Sequence, residues 1–375
     1  MPDIGKLRYA SPQSSSLASD LRQTAHDYLQ SRNDNRFADW RLVAKGLFLL
    51  SCGMSLYASM LAATSATAFF FAYLAIPFLA MMLAMNVLHD GAHRALSPWP
   101  WLDRALIRLI AIPLGVEPAY WTVRHVHYHH AYANIEHYDL DTAANRFLRQ
   151  TPYQPWYPQF QYQHRYWPLV AALSLPYIGC VYDWADRFGL TPLKRDRVLP
   201  GAAGWSIFVS TKAAHILLAM VVPALVAHRL GLSASVVVAG YLVGQMLASC
   251  VLVALILGTH WSDVRFFLPP ESGQLPHTWH EHAFMTACDW QPRPRWIGYW
   301  LGGLNLHLTH HLFPTYSHRH YPALAAEIAN VARRHNIRYR VLSYSQLLIA
   351  QQNFLRAMGR PGRRLPHDND TQKEP

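Results

Sequence analysis

The chain is predicted to be an all-α integral membrane protein, with four transmembrane helices in two hairpins and a cytoplasmic helical cap that holds a two-metal site. Two pairs of long apolar segments, separated by arginine-rich stretches, predict the hairpins. Histidines clustered at the flanks of those segments predict the metal site. A composition that is 51% hydrophobic but only 15% charged fits a membrane setting.

The 375 residues carry a formal charge of +11. The basic residues lie between apolar segments rather than on a soluble module, so the charge reads as topology and a nucleic-acid partner is not expected. Cys52, Cys180, Cys250 and Cys288 show no CxxC spacing, which implies neither a disulfide framework nor a zinc ribbon. The polar N-terminus lacks a short apolar core with a cleavage site, so no cleaved secretory signal is expected. No Gly-rich phosphate loop or Rossmann fingerprint is visible, and nicotinamide or flavin is not expected in the usual way.

Residues 1–41 form a cytoplasmic N-terminal segment, polar and expected to be mobile over 1–17, with an amphipathic helix suited to Ser16–Ser31. The membrane domain covers 42–348. Its spans are placed at about 42–64 and 67–88, joined by "AATSAT", and at about 205–227 and 233–258, joined by "HRLGL". Residues 101–116 have amphipathic helical spacing, and 166–188 are rich in Tyr and Trp; each is an interfacial helix or a short buried core helix. Residues 349–375 are expected to be a largely disordered tail.

The long segments after Arg94 and after Arg265 are rich in Arg and Lys, whereas the turns carry only Arg229. The positive-inside rule therefore puts both segments and the N-terminus in the cytoplasm. Two spans separate the second histidine cluster from the third, so parity returns the chain to the same face.

Those clusters are His89 and His93 in "HDGAH", His125, His129 and His130 in "HVHYHH", and His307, His310 and His311 in "HLTHH". Imidazole is a nitrogen donor suited to iron, and eight clustered imidazoles exceed what one ion needs. Residues four apart share a helix face, and an adjacent pair presents ligands about 100° apart. One HxxxH alone is a weak signal; three such clusters at one face are not. His127 reads as a surface or supporting group rather than a ligand.

With these spacings the chain resembles the membrane-bound fatty acid desaturase and hydroxylase superfamily, whose histidine boxes read HX3-4H, HX2-3HH and HX2-3HH. The resemblance covers roughly residues 86–348. "HHAYANIEHYDLD" and "WLGGLNLHLTHHLFPTYSHRHYPAL" look most like bacterial linoleoyl-CoA-type and front-end acyl desaturases. It implies two iron ions (Fe2+), dioxygen as co-substrate, and introduction of a double bond into an acyl chain carried on CoA, a carrier protein or a lipid. It also implies a ferredoxin or cytochrome b5-like electron donor with its reductase, and a bacterial inner-membrane location. No catalytic group beyond the metal ligands is expected.

The resemblance further implies a ninth histidine upstream of the third box, and "HAFMTACDW" offers His282, with His280 close by. Two departures stand out: His307 occupies a position where that branch usually has Gln, and no HPGG haem motif occurs. A ligating imidazole usually donates its other nitrogen to a carboxylate or carbonyl, which makes Asp90, Asp139, Asp141, Asp263, Asp289 and Asn134 candidates for that role. Trp121, Trp261 and Trp300 either line an acyl tunnel or serve as belt and packing residues. A hydroxylase, ketolase or acetylenase would use the same boxes. A histidine-rich metal transporter would instead want ligands near mid-membrane, where only His215 lies well inside a span.

Overall fold

The computed structural model describes residues 7–12, 15–193 and 198–362. Among the described residues, four helices are long and apolar enough to cross a membrane: Trp40–Leu61, Ala66–Ala92, Gly201–Arg229 and Ala234–His260. The first two open on side-chain caps, with Asp39 accepting from the Leu42 amide and Ser65 from the Ala68 amide. The outer faces of the spans leave Phe71 74% and Leu225 65% exposed, a surface suited to lipid rather than water. The protein is a membrane protein. The second and fourth spans pack at its centre, where the small Gly240 and Gly244 face Tyr73 and Pro77.

Between the hairpins the chain makes two helical arms, Pro100–Leu114 and Pro118–Tyr132, bent by 112° about an elbow at Gly115, whose φ is +73°. The first arm buries Ile107 and Ala111 and turns Trp101 and Leu109 outward. Such a half-buried stripe is what a helix lying at an interface requires.

The cap combines the helices Trp279–Thr286, His307–Leu312, Tyr321–Arg334 and Tyr344–Met358 with the helical stretch at 163–188. Helix Ser16–Ser31 closes one side, setting Leu17, Leu21 and Ala25 against Phe284, Leu308, Leu324 and Ile328. A two-stranded parallel sheet, β1 (Asp289–Gln291) with β2 (Val341–Ser343), pairs Asp289 with Val341 and is a small departure from an all-α fold.

Both ends correct the sequence-based expectation. Residues 7–12 are not loose: Leu7 is buried, the Arg8 amide donates to Gly273 O at 2.9 Å, and Tyr9 Oη donates to Ala131 O at 2.7 Å. The expected tail from 349 begins inside a helix, Tyr344–Met358, which opens on a Ser343 and Gln346 capping box and buries Leu347, Gln351, Phe354, Leu355 and Met358. Its apolar residues recur at helical spacing, a signal overshadowed by the charged stretch beyond. The rest of the tail from 363, and residues 1–6 and 13–14, lie outside the described residues.

Candidate metal centre

Two of the three histidine boxes lie at locally widened helical turns. The second span changes to π geometry over Ala84–Leu88 before His89, and the second arm does so over Val123–His129. Single π turns recur at functional sites because they re-aim side chains without ending the helix. His125 and His129 then stack with ring centroids 5.5 Å apart, while the adjacent His129 and His130 stand at 85° to each other. The third box reaches the others through "LGGLN". Gly302 has a φ of +61°, and a Cβ there would meet the Met85 carbonyl oxygen at 2.1 Å, so only glycine lets this loop cross the second span so closely.

The fold gathers the boxes into two groups of four buried histidines. One comprises His89, His93, His125 and His310, and the other His129, His260, His307 and His311; within each, the ligand atoms lie within 4.8 Å of one another. His130 sits between them, its ring 4.4 Å from that of His310 and 4.2 Å from that of His311. His307, at the position usually held by Gln, joins the second group, with its Nε2 at 2.7 Å from His260 Nε2.

Tautomers are set by the outer partners. His129 Nδ1 faces Asp139 Oδ1 at 3.1 Å and His260 Nδ1 faces Thr286 O at 2.8 Å, so both Nδ1 atoms carry the proton. Their Nε2 atoms face each other at 3.1 Å, and although burial opposes it the Asp139 carboxylate raises His129 to about 9, which favours a proton on one of them. Two facing acceptors repel unless a cation or proton lies between them. Metal–nitrogen bonds of about 2.0–2.1 Å, set about 90–109° apart, give nitrogen spacings of about 2.8–3.4 Å, and the 3.1 Å between His129 and His260 falls within them.

Further buried nitrogens lack hydrogen-bond partners: both of His89, Nε2 of His93, His310 and His311, and Nδ1 of His130 and His307. Buried polar atoms are ordinarily paired, so this concentration marks donors awaiting a cation. Burial also holds His93, His307, His310 and His311 well below the usual histidine range, leaving their rings neutral. An all-imidazole set of this kind suits a first-row metal such as zinc, copper, iron or nickel.

His282 is not brought to either group. Its Nε2 meets Ala133 O at 2.7 Å and its Nδ1 meets His277 Nε2 at 2.9 Å, which occupies both nitrogens, and His280 also lies outside. The structure instead supplies His260, which sequence reasoning missed. A single histidine has no spacing pattern, but it closes the fourth apolar segment just as His89 closes the second. His215 stays apart, bound to Ile112 O and Tyr241 Oη.

Of the expected supporting groups, Asp139 holds His129, and Asp141 lies 3.7 Å from His125. Asn134 donates its amide to Asp139 and its side chain to the His260 carbonyl. Asp289 accepts from the amide and hydroxyl of Thr309, inside the third box. Asp263 pairs with Arg338 at the surface instead. Tyr321, not foreseen, places its hydroxyl 2.8 Å from His310 Nδ1. Trp121 stacks on His125 at 4.8 Å, Trp261 packs on Phe354, and the Trp300 carbonyl accepts from Asn86.

Four membrane helices and a buried pair of histidine groups beneath them define the class, a membrane-bound histidine-box protein. Residues 64–343 match the family model described as fatty acid desaturase, and the chain belongs to that family. It is 26% identical over 341 residues to an acyl-lipid (8-3)-desaturase of Physcomitrium patens, covering 89% of this chain and 69% of that one. It is also similar to sn-1 linoleoyl-lipid 6-desaturases, at 26% identity for that of Arthrospira platensis and 27% for that of Synechocystis sp. Each of these matches covers 74% of this chain, and 74% and 77% of the respective relative.

Proposed function

We propose that the protein is a di-iron acyl desaturase that uses dioxygen and two externally supplied electrons to place a double bond in an acyl chain. The observation that carries this reading is the pair of buried histidine groups with converging lone pairs. His89, His93, His125 and His310 would hold one iron, and His129, His260, His307 and His311 the other, with His130 at the junction. Reduced iron bound there supplies dioxygen activation and the oxidising power to take hydrogen from unactivated methylenes.

The protein's own contribution is placement and exclusion of water. Asp139, Thr286 and Tyr321 fix the orientation of three rings from outside, as a ligating imidazole needs. All eight grouped histidines are buried, so bulk water is kept from the centre. A cavity of about 730 Å³ opens between the first two spans and the Pro100–Leu114 arm, walled by Leu47, Met54, Leu83, Val87, Leu106 and Ile110. Val87 lies two residues before His89, which supports delivery of an acyl chain from the bilayer on a membrane lipid.

The electron donor is a ferredoxin or cytochrome b5-like protein with its reductase, docking on a cytoplasmic face of a bacterial inner membrane. Expression with such a donor, followed by mass-spectrometric location of double bonds and hydroxyls, tests the reading. New double bonds from wild type, and none from a His310→Ala, His311→Ala protein, are expected; identical lipid profiles would overturn it, and hydroxylated acyl chains would assign the scaffold to hydroxylation.

A further inference from the structure

Outside the histidine groups, a buried hydrogen-bond chain crosses three parts of the fold. Lys45, in the first span and 4% exposed, directs Nζ to His318 Nε2 at 3.1 Å and to Tyr299 O at 2.9 Å. His318 Nδ1 lies 3.0 Å from Asp90 Oδ2, which also accepts from the Ser317 hydroxyl at 2.8 Å and the His318 amide at 3.1 Å. The donors run in one direction: the ammonium has only protons to give, so His318 Nε2 accepts and Nδ1 donates to the carboxylate. Every link is charge-assisted, the strong kind of hydrogen bond, and all but the one to Tyr299 are buried.

The ends of this chain matter more than its middle. Asp90 comes directly after His89, whereas Ser317 and His318 come after the third box and Tyr299 precedes it. A Cβ on Gly303 would lie 2.6 Å from His318 Cβ, so the loop entering the third box rests on the same histidine. The first box is thus tied to the third, and the first span, which contributes no histidine to either group, supplies the tie. His89 and His310, which these ties bring together, have ring centroids 4.4 Å apart and planes tilted by 51°.

We propose that Lys45 and His318 are positioning residues for the group of His89, His93, His125 and His310, acting through Asp90 beside His89, and that the other group depends on them less. An ammonium in a membrane span is costly unless it is paired, and here the pairing fixes one box against another. The inference rests on the two-metal reading above.

Metal-stripped full-length protein in detergent is titrated with Co2+, which reports imidazole binding through its absorption bands. Wild type binding fewer than two Co2+ would sink the two-metal reading itself, separately from this proposal. Lys45→Met is then compared in two backgrounds: His307→Ala, which keeps the first group whole, and His93→Ala, which keeps the second. In the His307→Ala background its Co2+ affinity is expected to fall about 10–100-fold, the range for lost supporting partners, with a smaller fall in the His93→Ala background. His318→Gln should repeat the pattern. Equal weakening in both backgrounds, no weakening in either, or unfolding of both variants by circular dichroism would overturn the proposal.

Discussion

The Nε2 atoms of His129 and His260 lie 3.1 Å apart although 131 residues separate them in sequence. Each has its other nitrogen committed to an outer acceptor, so both Nε2 atoms point at one spot. His260→Ala should therefore reduce bound iron from two per chain to one and lower desaturation more than about 100-fold, beyond what loss of a supporting partner costs. His282→Ala should retain both irons. Iron analysis of the two purified variants checks the contrast.

Asp139 binds His129 Nδ1 at 3.1 Å and also accepts the Asn134 and Asp141 amides. Asp139→Asn keeps the shape but loses the charge and can present its amide to the wrong tautomer. Metal affinity should drop about 10–100-fold with little change in fold, as read by chelator competition.

Stability of the metal-free protein should fall on acidification. His93, His307, His310 and His311 are pushed below their ordinary range by burial. Below about pH 6.5 the unfolded chain takes up protons that the folded chain refuses, so stability is lost as pH drops through that point. Asp289, raised to about 6 by burial, acts oppositely between about pH 6 and 4, as do Asp103, Glu117, Glu136 and Asp186, which burial also raises. His129, raised to about 9, adds stability as pH falls toward 6.5. The lowered histidines, His125, His130, His277, His280, His282 and His320 among them, outnumber these groups. Thermal melts of stripped protein between pH 8 and 5 should show a falling midpoint below 6.5.

Lys212 Nζ meets Asp183 Oδ2 at 2.7 Å, as well as the carbonyls of Gly115 and Gly179, and Asp183 also accepts from the Glu117 amide and Arg124. One carboxylate thus ties the elbow, the residue before His125 and the third span. Asp183→Ala strands buried cations and should cost about 3–5 kcal/mol, visible as a lowered denaturation midpoint.

Gly302→Ala would set a methyl group against the Met85 carbonyl at a positive φ, whereas a Cβ at Gly53 meets nothing within 4 Å. The first change should destabilise by at least about 2 kcal/mol and the second should stabilise the helix by about 0.5–1 kcal/mol. Paired melting curves distinguish them.

That there are four spans was legible in the sequence because hydropathy is local. The boxes were legible because His89 and His93, or His310 and His311, advertise themselves by spacing. His260 was not, since its membership depends on where the fourth span ends relative to the second box. His282 has the right neighbourhood in sequence, but its nitrogens are taken by Ala133 and His277. Asp183, Lys212 and Lys45 were unreadable for the same reason: a buried ion pair is a relation between distant segments, and each partner alone looks like a misplaced charge.

The widened turns at Ala84–Leu88 and Val123–His129 amount to spare length within their helices. Tightening either to ordinary pitch with every residue kept would swing the downstream residues about the axis. His93 would leave its partners while the lipid-facing surface above stayed as it was. The two helices therefore keep separate phases, one set by the bilayer and one by the metal centre, and the wide turn is the gear that lets each be tuned without disturbing the other.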